Sequence, residues 1–275
     1  MLKDITLGQF FPGKSILHKL DARFKILLML AFVVLVFFAD NLISFGYLLC
    51  LVVFMAVVSH ISIKVLLQGL KPIVVISVFT ALINLFWTTG TNTVFEFGFI
   101  HIYSEGIWRA VYMMIRIVSL VMGTSILLTY TTSPMDLTDA LESLLSPLKK
   151  IHVPVHEFSM MMSLALRFVP TLIEETEKII NAQKARGADF ESGNLLSRAK
   201  ALIPILIPLF ISSFSRATDL AVAMECRCYV GGEGRTRMRV MRFTAADVFV
   251  LLLFLLLFAG IPLLSMIPLP FGVLV

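Results

Sequence analysis

Long stretches without any charged residue dominate this sequence. A helix that crosses the hydrocarbon core of a bilayer needs about 20 apolar residues, and four of the five charge-free stretches approach or exceed that length. The remaining stretch has only 14 residues, but Phe24 and the turn at Asp40-Asn41 can extend it to a short span. A soluble domain of 275 residues could not bury a composition that is 58% hydrophobic. The stretches are residues 26–39, 41–63, 72–95, 117–135 and 248–275.

The sequence therefore predicts an all-α polytopic membrane protein with five spans. We expect them over residues 24–40, 42–60, 70–88, 107–130 and 247–267, and the rest of the chain to be cytoplasmic, interfacial or in short turns. Cys50, Cys226 and Cys228 form no spaced framework, so disulfides are not expected.

The positions of the basic residues predict the orientation of these spans. Of the 23 Lys and Arg residues, five precede the first span, two lie between the second and third, and 14 lie within residues 131–246. The turns at 40–41 and 89–106 contain none. The positive-inside rule then places the N-terminus and residues 131–246 in the cytoplasm and the C-terminus outside. Because the distribution of the basic residues reports membrane orientation, the net charge of +5 does not indicate a nucleic-acid partner, and we expect none.

Four segments follow from the spans and their orientation. They are a cytoplasmic N-terminal segment (1–23), four transmembrane helices (24–130), a cytoplasmic helical domain (131–246), and a last transmembrane helix with an extracellular C-terminus (247–275).

The segment 131–246 is predicted to contain three helices. The sequence Ser133-Pro134-Met135-Asp136 is typical of a capped helix start, and that helix runs to about Leu145. Two longer helices are expected over about 155–187 and 194–229. The latter contains an apolar run, 201–215, that is too short to span comfortably. We expect these helices to lie at the inner membrane face and to present an apolar surface to another membrane protein.

The sequence from Gly8 to Ser15 matches the phosphate-loop pattern G-x-x-x-x-G-K-S. That loop binds phosphate only between a buried strand and a helix. Seven residues before Gly8 are too few for a buried strand, so we do not expect nucleotide binding here.

Three motifs resemble those of one transporter family. The block "GQFFPGKSILHKLDARFKI" is similar to the N-terminal segment of the transmembrane T components of energy-coupling factor (ECF) transporters, the EcfT/CbiQ family, with Ala22 where the family usually has proline. Further along stand Ala185-Arg186-Gly187 and, 41 residues later, Cys226-Arg227-Cys228. Both resemble the Ala-Arg-Gly motifs that end two cytoplasmic helices in T components, with cysteines replacing Ala and Gly in the second.

The resemblance implies a coupling subunit of an ABC importer for vitamins or micronutrients in a prokaryotic plasma membrane. Its ATPase-docking residues would be Ala185, Arg186, Gly187, Cys226, Arg227 and Cys228, with each arginine bound in a groove of one of two ABC ATPase subunits. A small membrane-embedded substrate-binding (S) subunit would rest on the apolar helices. The resemblance implies no enzymatic activity, cofactor or metal in this chain. Independently, a guanidinium with small neighbours suits such docking, because it offers five donors in a rigid fork.

An intramembrane enzyme is the alternative class. Asp136, Asp139 and Glu142 are spaced like an aspartate-rich site of a prenyltransferase, and Glu174-Glu175 is similar to part of an intramembrane protease motif. First-turn acids on a capped helix explain the first group as well. Arg116 within a span is either a functional residue or a helix-packing donor, and the sequence leaves both open.

Overall fold

The computed structural model describes residues 10–89, 93–97, 100–188, 190, 195–231 and 244–266. The prediction of an all-α polytopic fold is confirmed, because helices account for most of these residues. In chain order they are α1 (Ile16–Lys19), α2 (Ala22–Val36), α3 (Leu42–Ser59), α4 (Ile63–Trp87), α5 (Ser104–Thr124), a π-helical turn (Ser125–Thr129), α6 (Pro134–Leu145), a 3-10 helix (Ser146–Ile151), α7 (Val155–Ala185), α8 (Leu195–Cys226) and α9 (Ala245–Ser265).

One small element was not predicted. Strands β1 (Thr93–Phe97) and β2 (Ile100–Tyr103) form an antiparallel pair between α4 and α5. Both segments are rich in β-branched and aromatic residues, which favour strands.

In the part of the chain that the structure describes, five helices are long and apolar enough to cross a membrane, but they are not the five expected from the sequence. Four coincide with predicted spans: Leu42–Ser59, Ile63–Trp87, Ser104–Thr129 and Asp247–Ser265. The predicted span over 24–40 overlaps α2 (Ala22–Val36), which has only 15 residues. In its place, Lys200–Cys226 of α8 meets the same criterion, because its apolar run continues past Arg216 with few further charges.

The described residues divide into two compact units. Residues 10–137 with 244–266 form the first, and residues 138–231 form the second. In the first unit, α2 packs against α5 and α9. The ring of Phe32 packs against that of Phe258 and so close to Gly123 that a Cβ there would lie 2.2 Å from the Phe32 ring. Glycine at 123 therefore allows α2 and α5 to approach closely.

Candidate docking site at two helix ends

The end of α7 is a glycine-dependent helix terminus. Arg186 is the C-cap residue, and Gly187 follows it with φ of +87°, in the left-handed region that glycine adopts without strain. The amide of Ala188 then donates to the carbonyl oxygen of Gln183, 3.0 Å away. This six-to-one bond is the signature of a Schellman motif, which satisfies carbonyls at the helix end. It leaves the Arg186 side chain exposed just where the helix stops.

The end of α8 has the same hydrogen-bond pattern. The helix ends at Cys226, Arg227 follows, and Cys228 has φ of +56°. The amide of Tyr229 donates to the carbonyl oxygen of Met224, again at 3.0 Å. Every participant lies 41 residues after its counterpart at the end of α7. The two triplets that the sequence singled out therefore adopt one backbone motif, with an exposed arginine at its centre in each case.

Cys228 takes the conformation that Gly187 takes in the first motif. A left-handed conformation brings the Cβ of an L-residue close to the following carbonyl oxygen, which costs roughly 1–2 kcal/mol. The exposed Cys226 and Cys228 side chains are small, so they leave room around Arg227 for a partner surface. The substitution of cysteine for glycine thus changes the strain at the helix end while the local geometry is retained.

The phosphate-loop pattern near the N-terminus has a structural use. Gly8 and Gln9 lie outside the described residues. Ser15 caps the four-residue helix α1, and its hydroxyl also lies 2.6 Å from Nδ1 of His18. The other ring nitrogen, Nε2, lies 2.9 Å from the carbonyl oxygen of Phe11. A Cβ on Gly13 would lie within 2.7–2.9 Å of the His18 ring, so glycine is needed for that ring to pack.

Lys14, the residue that would hold phosphate in such a loop, is exposed. No buried strand precedes it within the described residues. Burial lowers the pKa of His18 below its ordinary value, more than its backbone hydrogen bond to Phe11 raises it. The segment is therefore a folded-back strap, built around the His18 ring.

A buried lysine connects this strap to the residues that follow α5. The ammonium nitrogen of Lys25, at the start of α2, donates to the carbonyl oxygen of Thr131 at 2.8 Å and to that of His18 at 3.3 Å. The amide of Phe11 also donates to the carbonyl oxygen of Tyr130, at 3.1 Å. A lysine beside an apolar run usually extends its charge to water, so the sequence alone does not predict this buried contact.

Three of the five acidic residues that suggested a membrane enzyme have other partners. The predicted capped start of α6 is confirmed. The Asp136 amide donates to the Ser133 hydroxyl, and that hydroxyl donates to the Asp136 carboxylate. Glu142 pairs with His156 at 3.2 Å, and Glu175 pairs with Arg216 at 2.6 Å. Within the described residues, no three His, Cys, Asp or Glu side chains lie close enough to hold a metal ion.

Arg116 has a packing role that the sequence left open. Its guanidinium donates to the carbonyl oxygen of Ala39 at 2.6 Å and lies 3.5 Å from the Asp40 carboxylate. The same group lies 5.5 Å from the centre of the Phe45 ring. Arg116 on α5 thereby donates to a backbone carbonyl in the turn between α2 and α3. The Ala39 amide in this turn donates to the carbonyl oxygen of Val36, at the end of α2.

Comparison with known proteins identifies the class. The family model described as CbiQ, cobalt transport protein, matches residues 13–238. A protein of Ruminiclostridium cellulolyticum named energy-coupling factor transporter transmembrane protein EcfT is 54% identical over 253 residues, which cover 91% of this chain and 93% of the relative. Proteins of the same name from Thermosediminibacter oceani (50% over 247 residues; 90% and 92% covered) and Bacillus subtilis (43% over 259 residues; 94% and 97% covered) are also similar.

The spans, the arginine-tipped helices and these relatives define a membrane-embedded transporter component. The resemblance seen in the sequence is thereby confirmed. The chain belongs to the CbiQ/EcfT family, the transmembrane components of energy-coupling factor transporters.

Proposed function

We propose that this chain transmits ATP-driven motion from two ABC ATPase subunits to a membrane-embedded S subunit that carries a vitamin or other micronutrient. The observation that carries the proposal is the repeated helix end, in which Arg186 and Arg227 occupy equivalent positions of one backbone motif. Helix C-termini alone favour a cation, but that preference does not require the same capping pattern twice. Two copies of one docking motif suit two copies of one kind of partner.

The docking chemistry follows from the exposed guanidinium groups. Each arginine lies beyond the last helical residue with small neighbours, so a partner's cleft can enclose it. Charge-assisted hydrogen bonds from an enclosed guanidinium would make each arginine a hot spot of about 2–4 kcal/mol. The chain itself then needs neither a nucleotide site nor catalytic residues.

The apolar surface of α8 supports the position of the S subunit. Seven large apolar side chains of α8 are exposed within one stretch of the helix. A surface of this kind needs lipid or a protein partner. The residues are Leu202, Ile203, Leu206, Ile207, Phe210, Ile211 and Phe214.

We place α8 along the inner membrane face, although its length and composition would allow it to span. Arg216 of α8 forms an ion pair with Glu175 of α7, and both side chains are partly accessible, at 38% and 21%. Charges in mid-bilayer cost several kcal/mol. Spanning would also put the Arg186 and Arg227 ends on opposite sides of the membrane. The positive-inside rule keeps both in the cytoplasm, with the C-terminus outside.

Co-purification of the ATPase subunits tests the docking assignment. In membranes that express the whole transporter, the double variant Arg186→Ala/Arg227→Ala should lose the ATPases while the S subunit still co-purifies. Arg167→Ala is the matched control, because Arg167 is an exposed arginine on α7 away from the helix end. ATPases that remain bound to the double variant, with transport unchanged, would show that these arginines do not dock them.

A native cysteine tests the orientation. With Cys50 and Cys226 replaced by alanine, the exposed Cys228 is the remaining thiol. In membranes that contain this chain without the ATPase subunits, which would cover Cys228, a membrane-impermeant maleimide should label it in inside-out vesicles and spare it in intact cells. Labelling in intact cells would place the end of α8 outside and contradict the proposal.

A further inference from the structure

Helices α7 and α8 are joined by a closed polar triad. Nη2 of Arg216 donates to Oε2 of Glu175 at 2.6 Å, and the Ser212 hydroxyl donates to Oε1 of the same carboxylate. Nε of Arg216 lies 3.4 Å from the Ser212 oxygen, which closes the triad. Both carboxylate oxygens are thus held by α8, so the contact holds the two helices together at this point.

A second polar contact shows that the helices run antiparallel. The side-chain amide of Gln183 donates to the carbonyl oxygen of Pro204 at 3.4 Å. That carbonyl would ordinarily accept from the residue four positions later, but Pro208 has no amide hydrogen. The two helices are therefore antiparallel, and Arg186 and Arg227 lie at opposite ends of the pair.

The triad is equally far from the two arginines that end the helices. Arg186 follows Glu175 by 11 residues, and Arg227 follows Arg216 by 11 residues. At 1.5 Å per residue each arm is about 16 Å long. Eleven residues are also about three full turns, so each terminal arginine projects from nearly the same face as the triad residue of its own helix.

We propose that Glu175, Arg216 and Ser212 form the pivot about which α7 and α8 rotate during transport. The proposal rests on the docking function of Arg186 and Arg227. Because the arms are equal, a change of the crossing angle about the triad moves the two ends through equal distances. A pair of ATPases that closes symmetrically then drives both helices to the same extent. Glu175 and Arg216 are positioning residues in this scheme, since neither contacts a nucleotide or a substrate.

The test compares transport with ATP hydrolysis in the complete transporter reconstituted in liposomes. In Glu175→Gln and in Arg216→Gln, the ATPases should still co-purify and ATP hydrolysis should continue, whereas transport per ATP hydrolysed should fall by about tenfold, within the usual range for a coupling contact. Glu174→Gln is the matched control, because Glu174 is the exposed neighbour of Glu175. Arg216→Lys, which keeps the charge and loses the fork, should give an intermediate loss.

The exchanged pair Glu175→Arg/Arg216→Glu distinguishes a paired contact from two separate roles. It should recover at least about half of the coupling lost in the single variants, as expected for residues that act on each other. Single variants that transport normally, or an exchanged pair no better than the single variants, would overturn the pivot. ATPase binding by the Arg186→Ala/Arg227→Ala variant is measured separately, so the docking proposal can fail or stand without deciding the pivot proposal.

A distance measurement gives a readout that does not depend on transport. Spin labels at Ala182→Cys and Val222→Cys, both exposed positions, report the angle between the helices in a background without native cysteines. The distance distribution should be narrow with an intact triad and broad in Glu175→Gln. An unchanged distribution in that variant would contradict the pivot even if transport fell.

Discussion

The ammonium nitrogen of Lys25 lies 2.8 Å from the carbonyl oxygen of Thr131, 106 residues further along the chain. Only 2% of Lys25 is exposed, so the contact is shielded from water. We expect Lys25→Met to keep the packing of the side-chain stem and to destabilise the protein by about 2 kcal/mol, since buried acceptors lose their donor. Thermal unfolding of the detergent-solubilised protein measures the change.

Lys19→Met provides the comparison for this variant. Lys19 is exposed and lies in the same segment, so its replacement should change stability by no more than about 0.5 kcal/mol. Equal melting temperatures for the two variants would show that the link between Lys25 and Thr131 contributes nothing.

His18 should make the N-terminal strap sensitive to acid. Burial lowers the pKa of this imidazole in the folded protein, so the unfolded chain binds a proton first as the pH falls. The stability that His18 contributes is therefore complete above its unfolded pKa of about 6.5 and declines below it. Melting temperatures between pH 7.5 and 5 should fall more steeply for the native protein than for His18→Asn. Parallel curves for the two proteins would exclude this role of His18.

The two helix ends should respond oppositely to substitutions at equivalent positions. Gly187→Ala puts a Cβ into a left-handed conformation and should destabilise the end of α7 by about 1 kcal/mol. Cys228→Gly removes such a Cβ and should stabilise the end of α8 by roughly 0.5 kcal/mol, because the relief of strain exceeds the entropy cost of glycine. Hydrogen exchange of the Ala188 and Tyr229 amides reports each end separately. Faster exchange at Tyr229 in Cys228→Gly would be the contrary result.

Arg116 should prove to be structural. Arg116→Met removes the donor to the Ala39 carbonyl and the contact with Asp40, and we expect a loss of about 1–3 kcal/mol in stability. Transport per folded transporter should stay near that of the native protein. A variant with native stability and no transport would instead identify Arg116 as part of the transport machinery.

The motifs at the two helix ends show what the sequence could predict. Glycine after a helix that ends in Ala-Arg is a familiar terminus signal, so the end of α7 was foreseeable. Cysteine seldom adopts a left-handed conformation, and only the likeness of the two triplets indicated that Cys228 would replace the glycine.

Contacts between distant residues were beyond sequence reasoning. No periodicity links Lys25 with Thr131, and the pairing of Glu175 with Arg216 depends on how two long helices cross. The boundary between a spanning helix and an interfacial helix was equally hard to assign from composition. The 27-residue stretch Lys200–Cys226 of α8 and the 15-residue helix α2 lie on either side of the usual length for a span.

The shortness of α2 has a consequence for biogenesis. Its 15 residues measure roughly 22 Å, less than the hydrocarbon thickness of about 30 Å. Such a segment leaves the translocon poorly by itself, whereas the following α3, an apolar helix of 18 residues, partitions well. We expect the nascent chain to integrate α2 and α3 together as a hairpin, once the ribosome has released both.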